Sequence, residues 1–133
     1  MSDIEAIRSL LSEYALALDV GDFDGALQLF AVDGEFQVYG KTFKGRDDIG
    51  GMFRAAPHGL HLTGASRIDI DHDTATARSQ VLFVNVVHQA VTQQLRPALY
   101  DDNLTRHDGR WLFGRRRCRF VTGTGLSDTP EAT

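Results

Sequence analysis

Two textures of apolar spacing divide the chain. Up to about residue 56 the apolar side chains recur at helical intervals or in short alternating pieces. From His58 onward they fall in long segments rich in Val, Leu, Ile, Thr and Phe, each bounded by turn residues. Ser2 followed three residues later by Glu5 is a capping box that starts a first helix. Ile4, Ile7, Leu11, Tyr14 and Leu18 form one stripe of that helix, and Gly21 offers a left-handed stop, so it ends near Val20. Asp22 or Asp24 caps a second, short helix through Ala26, Leu27, Leu29 and Phe30, after which Asp33-Gly34 reads as a turn. Residues 35–39 and 41–43 form a small hairpin about Gly40, and a third helix covers 46–56, weakened by Gly50 and Gly51 and stopped by Pro57. Strands are predicted over 60–70, 75–88, 95–107 and 111–122, with turns at Asp71-His72-Asp73 and Asp108-Gly109. Long consecutive strands with short turns form an antiparallel meander. Helices first and sheet afterwards imply one α+β domain over 1–122, with three helices on one face of a curved sheet and a flexible tail over 123–133.

Composition narrows the function classes. The chain has 133 residues, 42% of them hydrophobic and 24% charged, enough for a single core without disulfides or metal. Fourteen basic against eighteen acidic residues give a net charge of -4, the wrong sign for a general nucleic-acid binder. The lone Cys118 excludes an internal disulfide and any multi-cysteine zinc site. No apolar run reaches membrane-spanning length, and the opening residues lack a signal-peptide layout, so a cytoplasmic protein without membrane or nucleic-acid partners is expected. A phosphate-binding Gly-rich loop, H-E-x-x-H and G-x-S-x-G are all missing, and neither cofactor nor metal is expected.

The candidate chemistry rests on polar residues set in apolar elements. Asp19 stands in the last turn of the first helix, where the helix dipole opposes a carboxylate by roughly 0.3–1 kcal/mol, so a cation is expected beside it. It flanks the apolar stripe and reads either as a solvated or Arg-paired acid or as a group at the edge of the core. His61 alternates out of phase with Leu60, Leu62, Ile68 and Ile70, which puts it on the more polar strand face, toward solvent or toward the wet mouth of a pocket. His58, His72, His88 and His107 lie near turns or strand ends and attract less attention. Asn85, in a row with Val81 and Phe83, either satisfies neighbouring backbone or presents a donor to a ligand. Tyr14 lies within the apolar stripe and reads either as a core tyrosine bonded to a carbonyl or as a hydroxyl turned into the interior. In Arg115-Arg116-Arg117-Cys118-Arg119, alternation turns only Arg116 inward, where it needs a carboxylate, an anionic ligand or a developing negative charge. The same count sets Trp111 and Phe113 on the outer face with Arg115, a surface suited to a second subunit. Cys118 reads as an inert buried thiol.

Several of these strings together resemble the SnoaL-like branch of the nuclear transport factor 2-like superfamily, the cone-shaped α+β barrels. The likeness runs from about Ile4 to Val121 and is carried by Tyr14-Ala15-Leu16-Ala17-Leu18-Asp19, Gly21-Asp22-Phe23-Asp24, Phe43-Lys44-Gly45-Arg46-Asp47-Asp48-Ile49, His61-Leu62-Thr63, Tyr100-Asp101-Asp102-Asn103-Leu104 and Asp108-Gly109-Arg110-Trp111. Within that superfamily the scytalone dehydratase, bile acid dehydratase and dehydrochlorinase branch is the most similar. The resemblance implies a catalytic dyad at Asp19 and His61 and an inward arginine at Arg116. It also implies a substrate pocket that includes Tyr14, Tyr39, Phe83, Asn85 and Tyr100. A second pocket histidine of scytalone dehydratase falls at Asn85, and the catalytic Asp of ketosteroid isomerase falls near Val38 or Tyr39, so neither mechanism carries over whole. The implied activity is a cofactor-independent dehydratase acting by His-Asp general base catalysis on a small, mostly apolar cyclic substrate of polyketide, steroid or terpenoid type. The alternatives are an isomerase or cyclase on the same scaffold, or a non-catalytic ligand-binding or structural subunit. A homodimer through the outer sheet face is also expected.

Overall fold

A computed structural model describes residues 1–86 and 94–131 of the chain. Helix α1, Asp3–Asp19, starts at Ser2, whose hydroxyl accepts the Glu5 N–H at 3.2 Å. It ends in a Schellman motif. Gly21 has φ +75°, the Asp22 N–H donates to the Ala17 carbonyl at 2.8 Å, and the Gly21 N–H donates to that of Leu18 at 3.0 Å. That ending fixes Asp19 as the last helical residue. Asp22 caps the short α2, Phe23–Leu27, by accepting the Gly25 N–H at 2.9 Å. The third helix, α3, spans Gly45–Ala55 and stops before Pro57.

Seven strands form one sheet: β1 Phe30–Val38, β2 Lys41–Lys44, β3 Gly59–Asp71, β4 Thr74–Asn85, β5 Gln94–His107, β6 Arg110–Thr122 and β7 Gly125–Ser127. Their order is β2-β1-β6-β5-β4-β3, with β7 also on β6. The meander β3 to β6 is antiparallel as expected, while β1 joins β6 in parallel. The helices cover one face and bury a core in which Ile7, Ile49, Phe30, Phe113 and Leu104 are nearly inaccessible. Fold class and element order therefore agree with the sequence expectation. No helix among the described residues is long and apolar enough to cross a membrane.

Four local expectations need correction or comment. Asp33-Gly34 is not a turn: β1 begins at Phe30, and residues 31–34 bulge between the pairs Phe30↔Phe113 and Glu35↔Arg115. Gly34 is required there by crowding, since a Cβ would lie 2.9 Å from the Ala31 carbonyl oxygen and 3.1 Å from that of Phe113. The second helix correspondingly stops at Leu27 rather than running to Phe30. The strand expected over 75–88 is seen to Asn85, and its last positions, Val87 and His88, lie outside the described residues. Within the tail, Gly125–Ser127 pairs with Phe120–Thr122 as a short strand.

The most consequential differences are two bulges that invert strand alternation, each an extra residue inside one strand. In β3 the register shifts between Thr63 and Ser66, where the Gln80 side chain accepts the Ala65 N–H at 3.1 Å. Before the bulge His61 pairs with Phe83 on the inner face, and Leu60 and Leu62 are outward, 44% and 50% exposed; after it Ile68 and Ile70 turn inward. His61 thus faces the interior rather than a polar surface. In β6 the shift falls at Gly114, between Phe113 and Arg115. Trp111 and Phe113, expected on the outer face, are consequently on the inner face with Arg116, and both are buried.

Candidate active site

The inner face and the helices enclose a cavity with about 780 Å³ of empty space, its open mouth included. Every layer contributes to the wall: Tyr14 and Leu18 from α1, Met52 and Phe53 from α3, Phe36 and Val38 from β1, Val81 and Phe83 from β4, and Tyr100, Cys118 and Phe120 from β5 and β6. This is a mostly apolar hollow with few polar groups, the usual character of a small-molecule site.

His61 stands in this wall and contacts Asp19, which is not itself a lining residue. Because α1 ends where it does and β3 begins at Gly59, the Asp19 carboxylate reaches the start of β3 and accepts two bonds on Oδ1. One comes from the His61 N–H at 2.9 Å and one from the ring, with Nδ1 at 2.7 Å. Both side chains are mostly buried, 13% and 15% exposed. Beside Asp19, where a cation was expected, stands this N–H and an imidazole. Burial holds His61 below the ordinary histidine value, with the Asp19 hydrogen bond and charge opposing it and Arg116 acting with burial, so the ring is neutral at pH 7. A carboxylate acceptor at Nδ1 puts the proton on that nitrogen and leaves the Nε2 lone pair available. The His61 ring packs 4.7 Å from Phe83 and 6.2 Å from Tyr14, centroid to centroid.

Arg116 does turn inward, as alternation predicted, but it is not among the cavity-lining residues. It is 1% exposed and lies beneath the wall, where Nε and Nη2 donate to the two oxygens of Asp102 at 2.9 and 3.3 Å. Its guanidinium carbon sits 3.7 Å from the Tyr100 ring centre and 4.3 Å from that of Tyr14. Nη1 has no hydrogen-bond partner among the described residues, and the guanidinium rests on these rings. Burial pushes the Asp102 carboxyl up to about 6 against the pull of Arg116. Burial likewise works against the Arg116 charge, but Asp102 and the two phenols together outweigh it and raise the guanidinium. We assign an ion pair, because both carboxylate oxygens accept from the fork. Of the partners that sequence allowed for Arg116, a carboxylate is therefore the one present.

Tyr14, Tyr39, Phe83 and Tyr100 all line the cavity. Tyr14 and Tyr100 are buried, with phenols held protonated foremost by burial, and their rings lie 5.8 Å apart. Tyr39 occupies a left-handed turn at φ 57° and covers Phe120 at 5.4 Å. Asn85 does not join them: its side chain donates to Gln94 at 3.1 Å at the strand end. Burial pushes the Cys118 thiol up to about 12, in keeping with an inert group. Sequence reading passed over two cationic or titratable wall residues, His58 and Arg96. Arg96 shares the parity of Ala98 and Tyr100 on β5, so the count applied to β6 would have found it.

Three helices packed on one face of a curved, mainly antiparallel sheet are the architecture of the nuclear transport factor 2-like fold. Residues 1–117 match the SnoaL-like domain family, and the chain belongs to it. Among solved structures it is similar to a Mycobacterium tuberculosis protein of unknown function, at 28% identity over 89% of this chain and 71% of that one, with TM-score 0.82. It is also similar to an NTF2-like protein with a cystatin-like fold from Novosphingobium aromaticivorans, at 27% identity over 91% and 83% of the two chains, TM-score 0.81. A hexachlorocyclohexane dehydrochlorinase from Novosphingobium barchaimii shares the fold at 21% identity, covering 96% and 89%, TM-score 0.79. No curated protein matches the chain in sequence.

Proposed function

We propose that the protein is a cofactor-independent lyase of the dehydratase type, acting on a small, mostly apolar cyclic substrate with His61 as general base. The observation that carries this is the 2.7 Å contact between Asp19 and Nδ1 of His61, a residue that lines a mostly apolar cavity. His61 Nε2 takes a proton from a carbon next to a carbonyl, and the C–H electron pair passes into an enolate whose oxygen the Tyr14 and Tyr100 hydroxyls steady. The enolate then reforms the carbonyl, expels the β-hydroxyl as the new C=C bond forms, and the imidazolium returns its proton to that leaving group. Substrate thus yields alkene and water, with His61 restored. Arg116 acts on this step through the two phenols, its charge favouring oxyanion character at their hydroxyls. Position 85, where scytalone dehydratase has a second histidine, is Asn85 here, and in this reading His61 serves as both base and acid, which suits a proton leaving and returning on one face. A dehydrochlorinase of the same fold makes elimination a compatible chemistry for the scaffold.

We also propose a homodimer through the outer sheet face, now supported by the exposed Leu60, Leu62 and Leu95 in place of Trp111 and Phe113. The lyase reading is tested by incubating cyclic β-hydroxyketones with wild type and His61→Ala and following loss of water by mass spectrometry. Turnover by wild type alone is expected, and equal rates in both proteins overturn the histidine-base mechanism.

A further inference from the structure

Arg96 is the one arginine among the described residues of the cavity wall, and it stands in a single cross-strand row with His61. β4 pairs Phe83 with His61 on one side and with Arg96 on the other, so the three residues lie side by side on the inner face. With neighbouring strands about 4.8 Å apart, the Arg96 backbone lies roughly 10 Å from that of His61, with the Phe83 ring between them. Five other arginines, Arg78, Arg106, Arg116, Arg117 and Arg119, each contact an aspartate. Arg96 is half-buried in a mostly apolar wall and has no such contact among the described residues.

We propose that Arg96 is the specificity-determining residue of this pocket and that it selects a ring-bearing carboxylic acid, gripping the carboxylate at the far end of the substrate from the carbon presented to His61. A planar guanidinium fork matches a carboxylate through two parallel hydrogen bonds, and an apolar surround strengthens that pairing. Asp19 supports the same orientation, because its negative charge repels a carboxylate from the dyad end of the row. Phe83 offers a flat surface for the ring system that spans the two ends. The inference rests on the proposed pocket function for its orientation, but its test does not require turnover.

The test is calorimetric titration with 2-naphthoate and its neutral twin 2-naphthamide, using wild type, Arg96→Gln and His61→Ala. Wild type is expected to prefer the acid by about tenfold or more, the range of one charge-assisted contact. Arg96→Gln removes the preference while 2-naphthamide binds within about twofold of wild type, which also shows the pocket intact; His61→Ala keeps the preference. Equal binding of the two probes by wild type, a preference that survives Arg96→Gln, or no binding of 2-naphthoate overturns the proposal. A protein that prefers the acid through Arg96 yet turns nothing over keeps this inference and loses the lyase reading.

Discussion

Replacing Asp19 with Asn isolates the feature on which the proposed chemistry depends. The substitution keeps shape and an oxygen for the His61 N–H, now 2.9 Å from Asp19 Oδ1, but removes the charge facing the ring 2.7 Å away. Charge-assisted hydrogen bonds of this kind contribute about 1.5–3 kcal/mol, and deleting a carboxylate from the last turn of α1 returns roughly 0.3–1 kcal/mol of dipole repulsion. The net loss of stability is therefore about 1–2 kcal/mol, a fall of a few degrees in melting temperature, and the fold survives. Activity suffers as well, because the neutral amide oxygen left at that position still accepts from Nδ1 but no longer stabilises the imidazolium that forms when Nε2 takes a proton. A loss of about 10- to 100-fold in kcat/KM is expected, the range of one charge-assisted hydrogen bond. The same change moves the His61 titration in a defined direction. Asp19 opposes the lowering of the His61 pKa by burial, so its removal lowers that pKa further. Following the His61 ring carbon resonance against pH in wild type and Asp19→Asn checks this without any substrate. An unchanged or raised titration midpoint in the variant refutes the electrostatic coupling and, with it, the oriented base.

Three further outcomes follow from the same geometry. In wild type, kcat/KM should be level near neutrality and fall on the acid side with a midpoint below the ordinary histidine value of 6.5, since the base must be neutral and burial lowers its pKa; a limb centred above 6.5 in a rate profile contradicts this. Arg116→Met leaves the buried Asp102 carboxylate unpaired and should cost about 3–5 kcal/mol in urea unfolding, whereas adding Asp102→Leu should recover most of that loss; equal stability of the single and double variants refutes the ion pair. Gly59→Ala would drive a Cβ into the Val84 carbonyl oxygen and to 2.9 Å from the Phe83 ring, two residues before His61. A destabilisation of about 1–3 kcal/mol by thermal unfolding is expected, together with weakened ligand binding.

Much of the architecture was legible in the chain because local rules and global packing agree there. The Ser2 cap, the stop at Gly21, the long alternating strands and the Asp108-Gly109 turn each depend on neighbours in sequence, and each is found. The alternation that singled out Arg116 held for the same reason, since the stretch from Arg115 to Phe120 has no bulge. Dyad residues were named through the family resemblance, while spacing alone left Asp19 and His61 open to ordinary structural roles.

Tertiary structure decided what a period-two count cannot. One extra residue in β3 and one in β6 reverse every side chain beyond them, which carried His61 inward and Trp111 and Phe113 into the core. Nothing local announces such a shift, because a bulge is set by how two strands pair and by a filler such as Gln80 from the neighbouring strand. Sequence by itself determined which elements form and in what order. Only the folded sheet decided which face each residue serves, that Asp102 rather than a ligand neutralises Arg116, and that Arg96 shares a wall with the His61–Asp19 contact, since each of these depends on register between strands distant in the chain.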